Sequence, residues 1–160
     1  MEKGKETLKP LMIVEDNPDD IFFIKRAFLR LNVDNPLLFL RDGEQAIEYL
    51  SGAGDFNDRG KYPLPFLILL DIKLPGISGF EVLRWLRSRK TEISLIPVIM
   101  LTSSSHPSDI NKAYRFGANS YITKPTKPEE LVNLVNTIHV YWAYLNKPPE
   151  IMEYSNEGKA

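Results

Sequence analysis

Short apolar runs alternate along this chain with segments whose apolar residues recur every three or four positions. The runs are Leu11-Met12-Ile13-Val14, Leu37-Leu38-Phe39-Leu40, Phe66-Leu67-Ile68-Leu69-Leu70 and Leu95-Ile96-Pro97-Val98-Ile99-Met100-Leu101, and Asn119 to Ile122 reads as a short fifth strand. Runs this short and this continuous predict strands buried on both faces. Pro97 stands near the start of its run, where a missing N–H is tolerated.

Between the runs the period changes to that of a helix. Ile21, Ile24, Phe28 and Leu31 mark the first stripe, Glu44 to Leu50 the second helix, and Phe80, Val82, Leu83 and Leu86 the third. Asn17 suits an N-cap and Pro18 the first helical position, while Asp19 and Asp20 read as residues that complement the helix dipole rather than as ligands. A fourth helix starts near His106 and Pro107 and stops at Gly117, a C-cap residue. The last starts near Lys127, carries Leu131, Leu134, Val135, Ile138, Trp142 and Leu145 on its core stripe, and ends at Pro148-Pro149. Val132, Val140, Tyr141 and Tyr144 fall off that stripe; they read equally as an exposed apolar face or as half-buried rings with wet hydroxyls. His139 reads as a helix-surface residue. The polar connection from Ser51 to Pro65 follows no ligand spacing and is assigned no chemistry.

Five strands alternating with five helices predict an α/β domain, a doubly wound (βα)5 parallel sheet of flavodoxin-like type with strand order 2-1-3-4-5. The domain is expected over residues 10–146, between flexible ends at 1–9 and 147–160. With 160 residues and 43% hydrophobic content, the chain is sized for one core. Its 20 basic and 21 acidic residues nearly cancel and no segment concentrates Lys and Arg, so no nucleic-acid partner is expected. There is no cysteine, hence no disulfide and no thiolate metal site. The polar start and the lack of any apolar run near the roughly 20 residues of a membrane span point to a soluble, cytoplasmic chain with no membrane partner.

The chemistry gathers at strand ends. Asp71 closes the most apolar run and is followed at once by the loop Ile72-Lys73-Leu74-Pro75-Gly76; in open parallel sheets, ligands bind outside the carboxyl ends of the strands. The first strand ends in Glu15-Asp16, the fourth reaches Thr102, and the fifth leads to Lys124. In the expected order the first and third strands are neighbours, which sets Glu15, Asp16 and Asp71 side by side. Carboxylates so placed repel one another unless a cation joins them. An all-oxygen set without His or Cys favours a hard divalent ion such as Mg²⁺. Lys124 and Thr102 suit the oxygens of a phosphoryl group, so the set has the parts of a phosphoryl-transfer site. Gly76 and Gly79 need mean no more than a turn and a helix entry.

Four motifs in order carry a family resemblance: Val14-Glu15-Asp16-Asn17-Pro18, Leu70-Asp71-Ile72-Lys73-Leu74-Pro75-Gly76-Ile77-Ser78-Gly79, Met100-Leu101-Thr102-Ser103 and Tyr121-Ile122-Thr123-Lys124-Pro125. From Leu11 to Leu145 the chain resembles a response regulator receiver domain. The start Asn17-Pro18-Asp19-Asp20, the long connection before the third strand and the lack of an output domain are similar to the single-domain regulators that partner bacterial and cyanobacterial phytochrome kinases.

The resemblance implies that Asp71 accepts a phosphoryl group from a phosphohistidine of a sensor histidine kinase, a phytochrome being the narrower candidate. It implies that Asp16, Asp71 and the backbone carbonyl of Lys73 hold Mg²⁺ or another divalent ion, with Glu15 acting directly or through water. Lys124 would pair with the phosphoryl oxygens, and Thr102 and Tyr121 would switch together, altering the surface of the fourth helix, fifth strand and fifth helix. The Lys124-Pro125 bond matches the family's cis peptide. The protein would be a phosphoacceptor switch, limited to Mg²⁺-dependent self-phosphorylation and autodephosphorylation, with a homodimer through the last helix as a further expectation. Glu15 departs from the usual aspartate. A phosphatase of the haloacid dehalogenase type needs an acid where Lys73 stands, and a flavodoxin-like cofactor binder needs a Ser-, Thr- and Gly-rich loop where Glu15-Asp16 stands. A phosphorylation-independent binding module stays open as the alternative.

Overall fold

The computed structural model describes residues 7–151; the outer parts of the two expected flexible ends, residues 1–6 and 152–160, lie outside the described residues. The strands are β1 (Leu11–Val14), β2 (Leu37–Leu40), β3 (Leu67–Leu70), β4 (Val98–Thr102) and β5 (Ser120–Thr123), all parallel and in the order β2-β1-β3-β4-β5. The helices are α1 (Pro18–Arg30), α2 (Gly43–Ser51), α3 (Gly79–Arg87), α4 (Pro107–Arg115) and α5 (Pro128–His139). This is the flavodoxin-like doubly wound sheet that the alternating pattern predicts.

The strand pattern follows from cover on both faces. Met12, Val14, Ile68, Leu70 and Met100 point to one face and pack with residues of α2 and α3 such as Leu50, Leu83 and Leu86. Leu11, Ile13, Leu67, Leu69 and Leu101 point to the other and pack with Ile24 and Phe28 of α1 and Val135 and Ile138 of α5. Every residue of β1, β3 and β4 is therefore buried, which is why these runs are apolar without alternation.

Three strands start later than expected, β3 by one residue, at Leu67 rather than Phe66. Glu92–Leu95 is a 3₁₀ turn with Leu95 exposed, and β4 begins only after Pro97, whose carbonyl still accepts the Ile68 N–H at 3.0 Å. β5 starts after Asn119, whose N–H still donates to Val98 O at 2.9 Å while its Oδ1 accepts from Val98 N and from Arg87, both at 2.8 Å. The Arg87 guanidinium also donates to the carbonyls of Gly117, Ser94 and Ile96, fastening the end of α3 to the approaches of β4 and β5.

The last helix departs further. Regular α-helix ends at His139, and Val140–Leu145 forms a π-helical turn. The wider turn rotates later residues off the core stripe. Trp142 still packs on the core, but Leu145, assigned to that stripe, is exposed, as are Val140, Tyr141 and Tyr144. His139 is buried rather than on the surface: Nε2 lies 3.3 Å from Asn35 Oδ1, and Tyr144 packs edge-on to the ring. Burial lowers its pKa, against a smaller rise from the charge of Asp34.

The Ser51–Pro65 connection is fastened to α2. Gly52, with φ of 71°, supplies the left-handed cap that a side chain would strain. Arg59 donates to the carbonyls of Tyr49 and Leu50, and the rings of Tyr49, Phe56 and Tyr62 pack together. Among the described residues no helix is long and apolar enough to cross a membrane.

Candidate functional site

The ends of β1 and β3 deliver the acids. Sheet pairing continues one residue past each strand, with Asp71 N donating to Val14 O and Glu15 N to Leu40 O, so Glu15 and Asp71 leave the sheet side by side. One carboxylate oxygen from each of Glu15, Asp16 and Asp71 lies within 4.8 Å of the others. Glu15 and Asp71 are buried, at 2% and 6% exposure, whereas Asp16 is exposed. Asp71 Oδ1 accepts from the N–H of Ile72 at 2.8 Å, which fixes the carboxylate plane.

Lys124 follows β5 directly. Its backbone N–H donates to Thr102 O at 2.8 Å, and its side chain runs back over the acidic edge. Nζ lies 2.5 Å from Glu15 Oε2, 2.8 Å from Asp20 Oδ2 and 3.2 Å from Asp71 Oδ2. Asp20 was expected only to complement the dipole of α1; the structure adds it to the site. Its position four residues before the buried Ile24 is the signal in the sequence, since that spacing shares a helix face.

One ammonium does not neutralise this set. Burial pushes the Glu15 carboxyl up to about 7, helped by the charge of Asp71 and opposed by Lys124 and the Asn17 N–H. Burial by itself would lower the Lys124 pKa, but hydrogen bonds to Asp20 and Glu15 and the charge of Asp71 raise it above the usual lysine value. The lysine is thus firmly charged while Glu15 stays short of cation. An additional cation would relieve that shortage, and an all-oxygen donor set fits a hard divalent ion. A cleft of about 360 Å³ opens here, with Asp16, Asp71 and Lys73 among its lining residues.

Thr102 ends β4 fully buried, and its Oγ1 is the one buried side-chain N or O among the described residues with no hydrogen-bond partner. A hydroxyl so placed costs about 1–3 kcal/mol. Tyr121, paired with Met100 in the sheet, donates its hydroxyl to Ser104 O at 2.8 Å, and burial raises its pKa. Ser104 Oγ donates in turn to Asp109 of α4. Tyr121 therefore holds the loop that leads from Thr102 to α4. His106 is the N-cap of α4, as expected, with Nδ1 accepting from Ser108 N. No peptide bond among the described residues is cis, so Lys124–Pro125 is trans here.

Gly79 has more than a helix-entry role. A Cβ there would stand 1.9 Å from the carbonyl oxygen of Asp71. The start of α3 is seated against the Asp71 peptide, a contact the sequence reading missed.

Residues 11–136 match the model of the response regulator receiver domain family. "Probable methanogenesis regulatory protein FilR2" of Methanothrix harundinacea is 37% identical over 139 residues, covering 87% of this chain and 86% of that protein. Response regulator Rcp1 of a Synechocystis species is 32% identical over 134 residues, 84% of this chain and 88% of Rcp1. The Mn²⁺-bound form of Rcp1 superposes with a TM-score of 0.79 at 31% identity, over 89% of this chain and 99% of that one. The phosphorylated cyanobacterial phytochrome response regulator RcpA superposes with a TM-score of 0.82 at 34% identity, again over 89% and 99%. The acidic strand ends, the buried hydroxyl and the lysine thus stand in a sheet shared with relatives of similar length, and this chain belongs to the response regulator receiver domain family.

Proposed function

We propose that this chain is a single-domain response regulator whose Asp71 accepts a phosphoryl group from a phosphohistidine of a sensor histidine kinase. The observation that carries this reading is the buried Asp71 carboxylate, fixed by the Ile72 N–H and set beside Lys124 in a cluster short of positive charge. In this reading residues 10–146 form the receiver unit and the chain works in the cytoplasm.

A carboxylate oxygen of Asp71 attacks phosphorus, the new P–O bond forming as the P–N bond to the donor imidazole breaks. The electron pair of the broken bond stays on the imidazole, which leaves neutral because its other ring nitrogen carries a proton. Asp71 then carries an acyl phosphate with more negative charge than the free carboxylate. Lys124 pairs with the added oxygens, and the Thr102 hydroxyl finds in them the acceptor it lacks. Movement of Thr102 frees Tyr121 to change rotamer, which alters the surface of α4, β5 and α5. A divalent cation, Mg²⁺ or its equivalent, held by Glu15, Asp16, Asp71 and the Lys73 carbonyl, would supply positive charge for the transferring group. Hydrolysis of the acyl phosphate by water returns the resting state, so the chain is a switch rather than a turnover enzyme.

Similarity to RcpA supports a phytochrome as the kinase. The exposed Tyr141, Tyr144 and Leu145 support a homodimer through the last helix. Incubation with acetyl phosphate and Mg²⁺ followed by intact mass measurement tests the central claim. Wild type should gain one phosphoryl mass and Asp71→Asn none; no gain in wild type would leave the phosphorylation-independent binding module. Light scattering that finds a monomer with and without phosphoryl analogue would remove the dimer.

A further inference from the structure

Lys124 Nζ is nearer to Asp20 Oδ2, at 2.8 Å, than to Asp71 Oδ2, at 3.2 Å. Asp20 stands outside the trio of acids gathered at the strand ends and comes from the first turn of α1. That turn is set by Asn17, whose Oδ1 accepts from the N–H groups of both Asp19 and Asp20. The Asp20 side chain is 38% exposed, against 11% for Lys124 and 2% for Glu15. It therefore covers the lysine from the solvent side.

The same pair divides two openings. One is the acidic cleft. The other is a groove of about 310 Å³ between α1 and the start of α5, with Phe23, Ile24, Pro128 and Leu131 in its wall. Asp20, Ser103 and Lys124 line both.

We propose that Asp20 is a positioning residue that holds Lys124 in the unmodified protein and competes with the phosphoryl group for it. The inference rests on the reading of Asp71 as phosphoacceptor. Glu15, Asp20 and Asp71 occupy the three N–H donors of the ammonium, so a phosphoryl oxygen gains one only as a carboxylate gives it up. Glu15 is buried with no water to turn to, so losing its cation would force it to take up a proton. Asp20 can turn to water, which makes it the partner that lets go. Its carboxylate then weakens the modified state twice, by stabilising the lysine in the unmodified state and by repelling the added negative charge. Release also opens part of the wall between cleft and groove, so the α1–α5 groove registers the state of Asp71.

Titration with beryllium trifluoride, a stable mimic of the acyl phosphate, at fixed Mg²⁺ tests this on the full chain. Asp20→Asn should reach half-saturation at about two- to fivefold lower concentration than wild type, the range set by a half-exposed ion pair. Asp20→Ala, which lacks any polar group there, should follow it. The ¹⁵N signal of the Lys124 ammonium in unliganded Asp20→Asn should move toward that of liganded wild type, a readout that a role in folding alone would leave unmoved. Equal half-saturation in both variants and wild type would overturn the inference. So would weaker binding that extra Mg²⁺ restores, because that outcome makes Asp20 a metal ligand. If wild type gains phosphoryl mass from acetyl phosphate while the variants match it in titration, only the inference fails; if wild type gains no mass, the phosphoacceptor reading fails and takes the inference with it.

Discussion

Gly79 and the Asp71 peptide touch: a Cβ at residue 79 would stand 1.9 Å from the Asp71 carbonyl oxygen and 2.8 Å from its carbon. Gly79 N also donates to Ile72 O at 2.9 Å, closing the loop that carries the acid back onto α3. The requirement is for space, not for an unusual backbone angle. Gly79→Ala must move α3 or the Asp71 peptide, at a cost of about 1–3 kcal/mol. Urea denaturation should show that loss. Intact mass after acetyl phosphate should show less phosphoryl gain than in wild type, since the Asp71 carboxylate no longer sits where Ile72 N and Lys124 hold it.

Lys124→Met removes the ammonium that Glu15, Asp20 and Asp71 share. Glu15 can answer by taking up a proton, so the loss should be about 1–3 kcal/mol, less than that of a stranded buried charge. Thermal unfolding with and without Mg²⁺ checks the cause. The metal should raise the melting temperature more in the variant than in wild type, because the acids have lost their own cation.

Thr102→Val exchanges an unpartnered buried hydroxyl for a methyl group of similar shape. Stability of the unmodified protein should hold or rise by up to about 1 kcal/mol, as replacing an unsatisfied polar group allows. The Tyr121 ring resonances, which should shift in wild type on adding beryllium trifluoride and Mg²⁺, should shift less in the variant. An equal shift would separate Tyr121 from Thr102.

His139 yields a pH prediction. Burial lowers its pKa below the usual 6.5, so the neutral ring is the form the fold favours. Its contribution is present above the unfolded value and is lost as the pH falls toward the folded one. Glu15 acts in the opposite sense: raised from 4.5 to about 7, it contributes below the unfolded value and loses that contribution as the pH rises through about 7. The comparison is therefore wild type against His139→Gln, in which the Glu15 effect cancels. Denaturation at about pH 7.5 and about pH 5.5 should show the stability advantage of wild type shrinking at the lower pH. A constant difference would show that the ring is not held neutral.

β1 falls where its apolar run stands, because a strand covered on both faces carries its burial in consecutive residues, and β2 falls on its run although only Leu40 is fully buried. Glu15, Asp16, Asp71, Thr102 and Lys124 were legible for a related reason: in a parallel sheet, the residue after each apolar run leaves at the same edge. The start of β4 was not legible, because Leu95 and Ile96 are apolar whether they lie in a strand or in a 3₁₀ turn beside it. Nor was the π-helical turn, since the hydrophobic period continues through Trp142 while the hydrogen bonding changes.

The sequence by itself determined the order of elements, the buried strands and the set of groups brought to one edge, all of which depend on residues adjacent in the chain or on a repeating period. Only the tertiary structure decided that Asp20 grips Lys124 across 104 positions, that His139 is enclosed by Asn35 and Tyr144, and that α3 leaves no room for a Cβ over Asp71. Those are contacts between elements. They depend on interaxial distance and side-chain direction, which no local pattern encodes.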